Sequence, residues 1–263
     1  MKTHAFKHKG NDQVSPLTSA FQDLILAMPD LSHRLQDHRA KRHADHGIGR
    51  RLGILRLNVK HALRLTDRPK DAPLYGEAQI ELGMHLNSFY IHLNGLLDNL
   101  AWLLAYELNL LGPVSEDKSS DRRKVGIFNK DFRNALNHPA TIALLLQHAQ
   151  WYSITKNLRD PIAHRVPLYA VPCIMSNEDC EEFGQLHSQE MSALISGNFN
   201  QSLEIHRNKF RLGEYHPVFC QEDEGQPVLC PINEQINQDS KVLLQILWHF
   251  IEDHQAIQPY ARN

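Results

Sequence analysis

The sequence predicts a mainly α fold, an antiparallel helical bundle with a small β-containing excursion before its C-terminal helix. Three observations carry that prediction. An apolar stripe runs at three- and four-residue steps through Leu82, Leu86, Phe89, Leu93, Leu96, Leu100 and Leu103, the spacing that lines one face of a helix. Helix starts and stops punctuate the chain at intervals that suit helices joined by short connections. Short, proline-punctuated apolar runs appear after His164 and before the last amphipathic segment, and these read as strands.

Met1 to Ser15 is polar and basic and reads as a disordered N-terminus; residues 16–263 read as one domain. Ser15-Pro16 supplies an N-cap and a first-turn proline, and Leu17, Phe21, Leu24, Ile25 and Met28 mark the first helical face. Pro29-Asp30 is expected to stop that helix and begin a polar one, which Gly47 and Gly49 break. Ile48, Leu52, Leu55, Val59, Ala62 and Leu63 form the next stripe. The strongest helix spans about Leu74 to Leu111, widened by Tyr90, Leu97, Ala101 and Leu104 and stopped by Gly112-Pro113; at 1.5 Å per residue it is roughly 50 Å long. Pro139 opens a helix with Ile142, Leu145, Ala149 and Tyr152 on one face, and Asp160-Pro161 is expected to end or kink it, because proline disfavours α geometry in the residue before it. Val166 to Pro172, Lys209 to Cys220 and Pro227 to Pro231 read as extended, with a turn at Glu222 to Gly225. The final helix is expected from about Ser240 to Ile257.

Composition narrows the function. The formal net charge of −2 gives no global basic field toward nucleic acid, so any RNA contact must be local. The longest apolar segment, Leu93 to Leu111, is interrupted by Asn94, Asp98, Asn99, Glu107 and Asn109, unlike a membrane span. Met1 to Ser15 holds no apolar stretch like that of a signal peptide, and Cys173, Cys180, Cys220 and Cys230 form no CxxC pair. These features fit free thiols in a cytoplasmic protein, with a Cys220–Cys230 disulfide as the alternative. Phosphate-cradling glycine loops, HExxH and GxSxG are absent, which removes common NTPase, zincin and serine-hydrolase readings.

Arg159-Asp160-Pro161-Ile162-Ala163-His164 combines the two groups needed for metal-free RNA cleavage. Histidine can take or give a proton near neutral pH, and arginine grips phosphate and stabilises the charge that builds on it. Spacing alone does not select this segment, since Arg56/His61, Arg133/His138 and Arg211/His216 share it. Context does. Asn157-Leu158-Arg159-Asp160-Pro161-Ile162-Ala163-His164-Arg165, entered from a helix bearing Trp151-Tyr152, resembles the signature of the HEPN superfamily: an Arg, a polar residue, and a His several positions on. His92-Leu93-Asn94-Gly95-Leu96-Leu97-Asp98-Asn99-Leu100-Ala101-Trp102 resembles the upstream helix of uncharacterised bacterial HEPN-like proteins. The resemblance covers about residues 75–170, leaving about 166–240 as an elaboration. Pro161 departs from a pattern that more often continues the helix.

The resemblance implies a homodimeric helical bundle in which two motifs meet across a two-fold axis. It implies a metal-independent endoribonuclease, a toxin or defence enzyme with RNA as substrate and a small antitoxin protein as a further partner; no cofactor or metal is expected. Arg159 and His164 are then catalytic, and Asp160 is their polar companion; Asp98 and Asn94, four apart on one face of the long helix, read either as a structural hydrogen bond between helices or as supports that orient Arg159 or His164, with Arg165 as a further support. The alternative is a non-catalytic dimer that binds RNA or protein through the same bundle. Arg133 and His138 form the rival motif, in a short helix without an apolar lead-in. His33, His38, His43 and His46 lie in the most basic stretch; they read as a solvated face, with phosphate contact or a metal as the functional readings.

Overall fold

The computed structural model describes residues 15–223 and 226–253. Residues 1–14 of the expected disordered segment, part of the expected turn (224–225) and the end of the expected final helix (254–257) lie outside the described residues; Ser15, expected to be disordered, caps the first helix.

Helix α1 (Pro16–Arg34) begins as predicted, with Ser15 Oγ accepting from the Leu17 amide at 3.3 Å. Pro29 does not stop it. Met28 and Leu31, on either side of that proline, are both buried, and their packing outweighs one missing backbone hydrogen bond. Helix α2 (His38–Arg42) then runs through a π-helical segment (His43–Gly49) into α3 (Arg50–Thr66). The glycines expected to break the chain here stay helical. Gly47 allows a close approach: a β-carbon at 47 would meet Asn99 Oδ1 at 2.2 Å.

Helix α4 (Glu77–Glu107) is the central strut. Every residue of its predicted stripe, the second row included, is buried. α3 packs along one flank, and α8 (Ala149–His164) packs along another. The short helices α5 (Ser119–Lys124), α6 (Lys130–Ala135) and α7 (Pro139–Gln147) connect α4 to α8. Pro161 neither ends nor breaks α8, which continues to His164. The proline lies in the last turn, between buried Leu158 and Ile162, which packs on the core.

The excursion holds more helix than predicted. After β1 (Tyr169–Ala170), α9 (Asn177–Ile195) and α10 (Phe199–Lys209) pair as a hairpin. The strand expected from Lys209 begins only at β2 (Val218–Asp223), which pairs antiparallel with β1 and with β3 (Gln226–Pro231). Phe219 pairs with Cys230, so Cys220 and Cys230 alternate to opposite faces of the sheet. All four cysteines are free thiols. Helix α11 (Ile232–Glu252) starts well before Ser240 and closes the bundle against α1. Its buried Asp239 accepts from Tyr90 Oη at 3.0 Å and Trp151 Nε1 at 2.9 Å, tying α11 to α4 and α8. No helix among the described residues is long and apolar enough to cross a membrane.

Candidate functional site

The site forms where α8 crosses α4 and the start of α3. Asn94 sets the crossing. Its side-chain amide, buried on α4, donates to the Tyr90 carbonyl at 3.1 Å and to the Thr155 carbonyl at 3.2 Å. That contact fixes α8 one turn before Arg159. Tyr152, Lys156 and Arg159 recur at steps of four and three, so they share a face of α8. Tyr152 stacks on Phe128, with ring centres 4.3 Å apart.

Asp98, one turn beyond Asn94, is the electrostatic centre. Crowding by protein pushes its carboxyl above the ordinary value, while Arg159, then Arg51 and Lys156, pull it back. One side of Asp98 stays open to solvent. Burial also raises the Tyr152 hydroxyl, and the Asp98 charge adds to the effect. Arg51 reaches in from α3 and lies 3.0 Å from His92 Nδ1. Desolvation, and secondarily the Arg51 charge, lower His92 and favour its neutral form. Arg51, Lys156 and Arg159 thus act on Asp98, and Asp160 lies beside Arg159. Three cations against two carboxylates leave one net positive charge, a local field of the kind the overall charge does not supply.

Arg159 Nε lies 3.2 Å from Asp160 Oδ1 as an ion pair, yet this buried nitrogen has no aligned hydrogen bond. A buried donor in that condition is costly unless an acceptor reaches it. His164, at the exposed end of α8, makes no hydrogen bond or ion pair among the described residues. At 3.6 residues per turn, five positions place Arg159 and His164 about 140° apart around the helix. Asp160 and His164, four apart, share a side. One chain therefore brings together Arg159, Asp160 and Asp98, with Asn94 behind them, and turns His164 outward. Arg165, the exposed C-cap of α8, stands apart from the cluster.

A groove of about 680 Å³ opens beside this cluster. Ile80, Met84 and Ile91 of α4 line one wall, and Ile162, Pro167 and Tyr169 line the other. Ile80 and Met84 are 64% and 65% exposed, too open for core residues on the central helix. His92 belongs both to the groove and to the Arg51 contact, which joins the apolar and charged surfaces.

The rival motif is taken apart by the fold. Arg133 Nη1 donates to the Phe128 carbonyl at 3.2 Å on α6, whereas His138 caps α7. Asn137, with φ of 49°, turns the chain between them. The His138 Nδ1 contacts Thr141 Oγ1 at 2.7 Å, and its Nε2 lies 3.5 Å from Asp253. In the basic stretch, His43 is buried between Asn99 Oδ1 at 3.0 Å and Glu116 Oε1 at 3.1 Å, a structural role. His33, His38 and His46 are exposed.

Sequence reasoning missed Arg51, His92, Lys156 and the role of Tyr152. The Tyr152/Lys156/Arg159 spacing was a readable signal. Arg51 gave none, because its place depends on Gly95, where a β-carbon would meet the Arg51 guanidinium. Comparisons with family models, with curated proteins and with solved structures found no match for this chain.

Proposed function

We propose that this chain is a homodimeric, HEPN-type RNA-binding protein that cleaves RNA without a metal. The buried, unaligned Nε of Arg159, held among Arg51, Lys156 and Asp98, carries the reading. It suits a donor kept ready for a phosphate oxygen, which would take the place Asp160 occupies beside it. Arg159 would stabilise the pentacoordinate phosphorane. The His164 imidazole of the second chain would remove the 2′-hydroxyl proton and then deliver it to the departing 5′-oxygen. The products are a 2′,3′-cyclic phosphate and a 5′-hydroxyl. The apolar groove beside the cluster is the dimer surface in this reading. A two-fold contact there turns the outward His164 of one chain toward the Arg159 of the other. Toxin action, with a small antitoxin as partner, is the cellular role that this chemistry suits.

The test uses full-length protein, RNA and EDTA. Wild type should cleave, while Arg159→Ala and His164→Ala should each lose at least a hundredfold in rate. A dimer mixed from the two variants keeps one intact site if Arg and His come from different chains, and should recover a substantial part of the activity. Binding without cleavage, abolished by Arg159→Ala, would instead support the non-catalytic module. The Asp160–Arg159 ion pair and the 140° divergence within one chain favour that second reading. Neither binding nor cleavage would reject both.

A further inference from the structure

A second group of polar side chains lies on the α3–α4 seam, toward the N-terminal end of α4. His61 comes from α3; Glu81 and His85 are one turn apart on α4. His61 Nδ1 and His85 Nε2 lie 3.9 and 3.8 Å from the same oxygen, Glu81 Oε1. All three donor atoms lie within 4.8 Å of one another. The two imidazole rings stack with centres 4.8 Å apart and 8° between their planes. Such a stack suits two neutral rings, since two charged ones would repel.

Two further observations point to a ligand. His61 Nδ1 is buried without a hydrogen-bond partner, although the rest of its ring reaches solvent. His85 is backed by a polar shell: its Nδ1 lies 3.1 Å from Asn58 Oδ1, and the Asn58 amide donates to Ser88 Oγ at 2.9 Å. Asn58 is buried. With its carbonyl oxygen facing Nδ1, His85 carries its proton there and turns the Nε2 lone pair toward Glu81. Metal-binding histidines are held this way, with the remote N–H given to a fixed acceptor.

We infer that His61 Nδ1, Glu81 Oε1 and His85 Nε2 form a divalent transition-metal site of the zinc type, with a fourth position left for water. Two imidazoles and a carboxylate are a zinc-compatible donor set. At metal–ligand distances of about 2.0–2.1 Å, tetrahedral donors stand roughly 3.3 Å apart, so modest side-chain rotation closes the gaps. Burial and the neighbouring His61 lower His85, which keeps its nitrogen unprotonated. The resident cation on Glu81 is Arg64, whose Nη2 donates to Oε1 at 2.7 Å; a metal must displace it. The other His-rich group, His138, His249 and Asp253, differs in that Thr141 Oγ1 contacts both imidazoles at 2.7 Å. The zinc-type site stands apart from Arg159 and requires nothing of the proposed RNA chemistry.

The experiment titrates Zn²⁺ alone into the EDTA-treated full chain by calorimetry, with Co²⁺ absorption to report tetrahedral binding. Wild type should show one site whose Co²⁺ spectrum disappears in the combined His61→Ala/Glu81→Gln/His85→Ala variant. His61→Ala and Glu81→Gln should each weaken binding at least tenfold; if one fails to fold, the other decides. Arg64→Gln should tighten binding severalfold, because it frees Glu81. An Arg64–Glu81 pair with merely structural histidines predicts otherwise. Unchanged affinity in the His61 and Glu81 variants, or weaker binding in Arg64→Gln, would overturn the assignment. So would a wild type that binds no metal.

Discussion

Arg51 on α3 lies across Gly95 on α4 so closely that a β-carbon at 95 would meet Arg51 Cζ at 2.6 Å. The contact is with the far end of a flexible side chain, so Gly95→Ala should displace Arg51 rather than the helices. Alanine in a helix interior gains about 0.5–1 kcal/mol over glycine. The variant should therefore be at least as stable as wild type in urea, and, in the proposed RNA-binding reading, should lose RNA affinity as Arg51 leaves His92 and Asp98. Reduced stability would mean that the backbone, not Arg51, gives way.

Gly47 should behave in the opposite way. A β-carbon there meets Oδ1, Cγ and Cβ of Asn99 at 2.2, 2.6 and 3.0 Å. Asn99 is held in place by buried His43, and the clash reaches its β-carbon, so the π-helical segment must shift. Gly47→Ala should cost roughly 1–3 kcal/mol, as overpacking does, visible as a lower urea midpoint with an unchanged slope.

Asp239 is expected to be the most damaging single polar deletion. Asp239→Ala strands Tyr90 Oη and Trp151 Nε1 in the core, each a penalty of about 1–3 kcal/mol. Thermal or urea unfolding should show a loss of roughly 3 kcal/mol. Asp239→Asn should be milder, because its amide oxygen can still accept from Trp151.

Asp37 carries a pH signature. As the N-cap of α2, it accepts from the Arg39 amide and binds the Arg39 guanidinium, which holds its carboxyl down at about 2, against 3.8 ordinarily. A depressed acid stabilises the fold above the unfolded value and loses that contribution as pH falls through the folded one. Asp37→Ala should thus cost about 1 kcal/mol at pH 7. The gap between variant and wild type should narrow between pH 3.8 and about 2, measured by denaturant unfolding across that window.

The bundle was legible where burial follows a period. The stripe from Leu82 to Leu103 was fully readable because α4 is enclosed along its length. Helices α9 and α10 were not, because their buried positions include Glu190, Ser202 and Lys209. A buried ion pair between Glu190 and Lys209 stands where a periodic reading looks for leucines. The Ser176/Asp179 capping box was the signal available. Motif context pointed to Arg159, Asp160 and Asp98, and the fold places these three side chains near one another. The outward turn of His164 was hidden because it follows from α8 continuing past Pro161, against local preference.

That continuation has a dynamic consequence. Pro161 has no N–H to give the Asn157 carbonyl, so α8 lacks one rung of its ladder between Arg159 and His164. The turn beyond it is closed by the Arg165 amide on the Pro161 carbonyl at 2.7 Å. Amide exchange should accordingly divide within α8: slow where Trp151, Thr155 and Leu158 anchor it, fast from Ile162 onward. His164 would then ride on a turn that opens separately from the one holding Arg159, free to be repositioned by whatever docks against it.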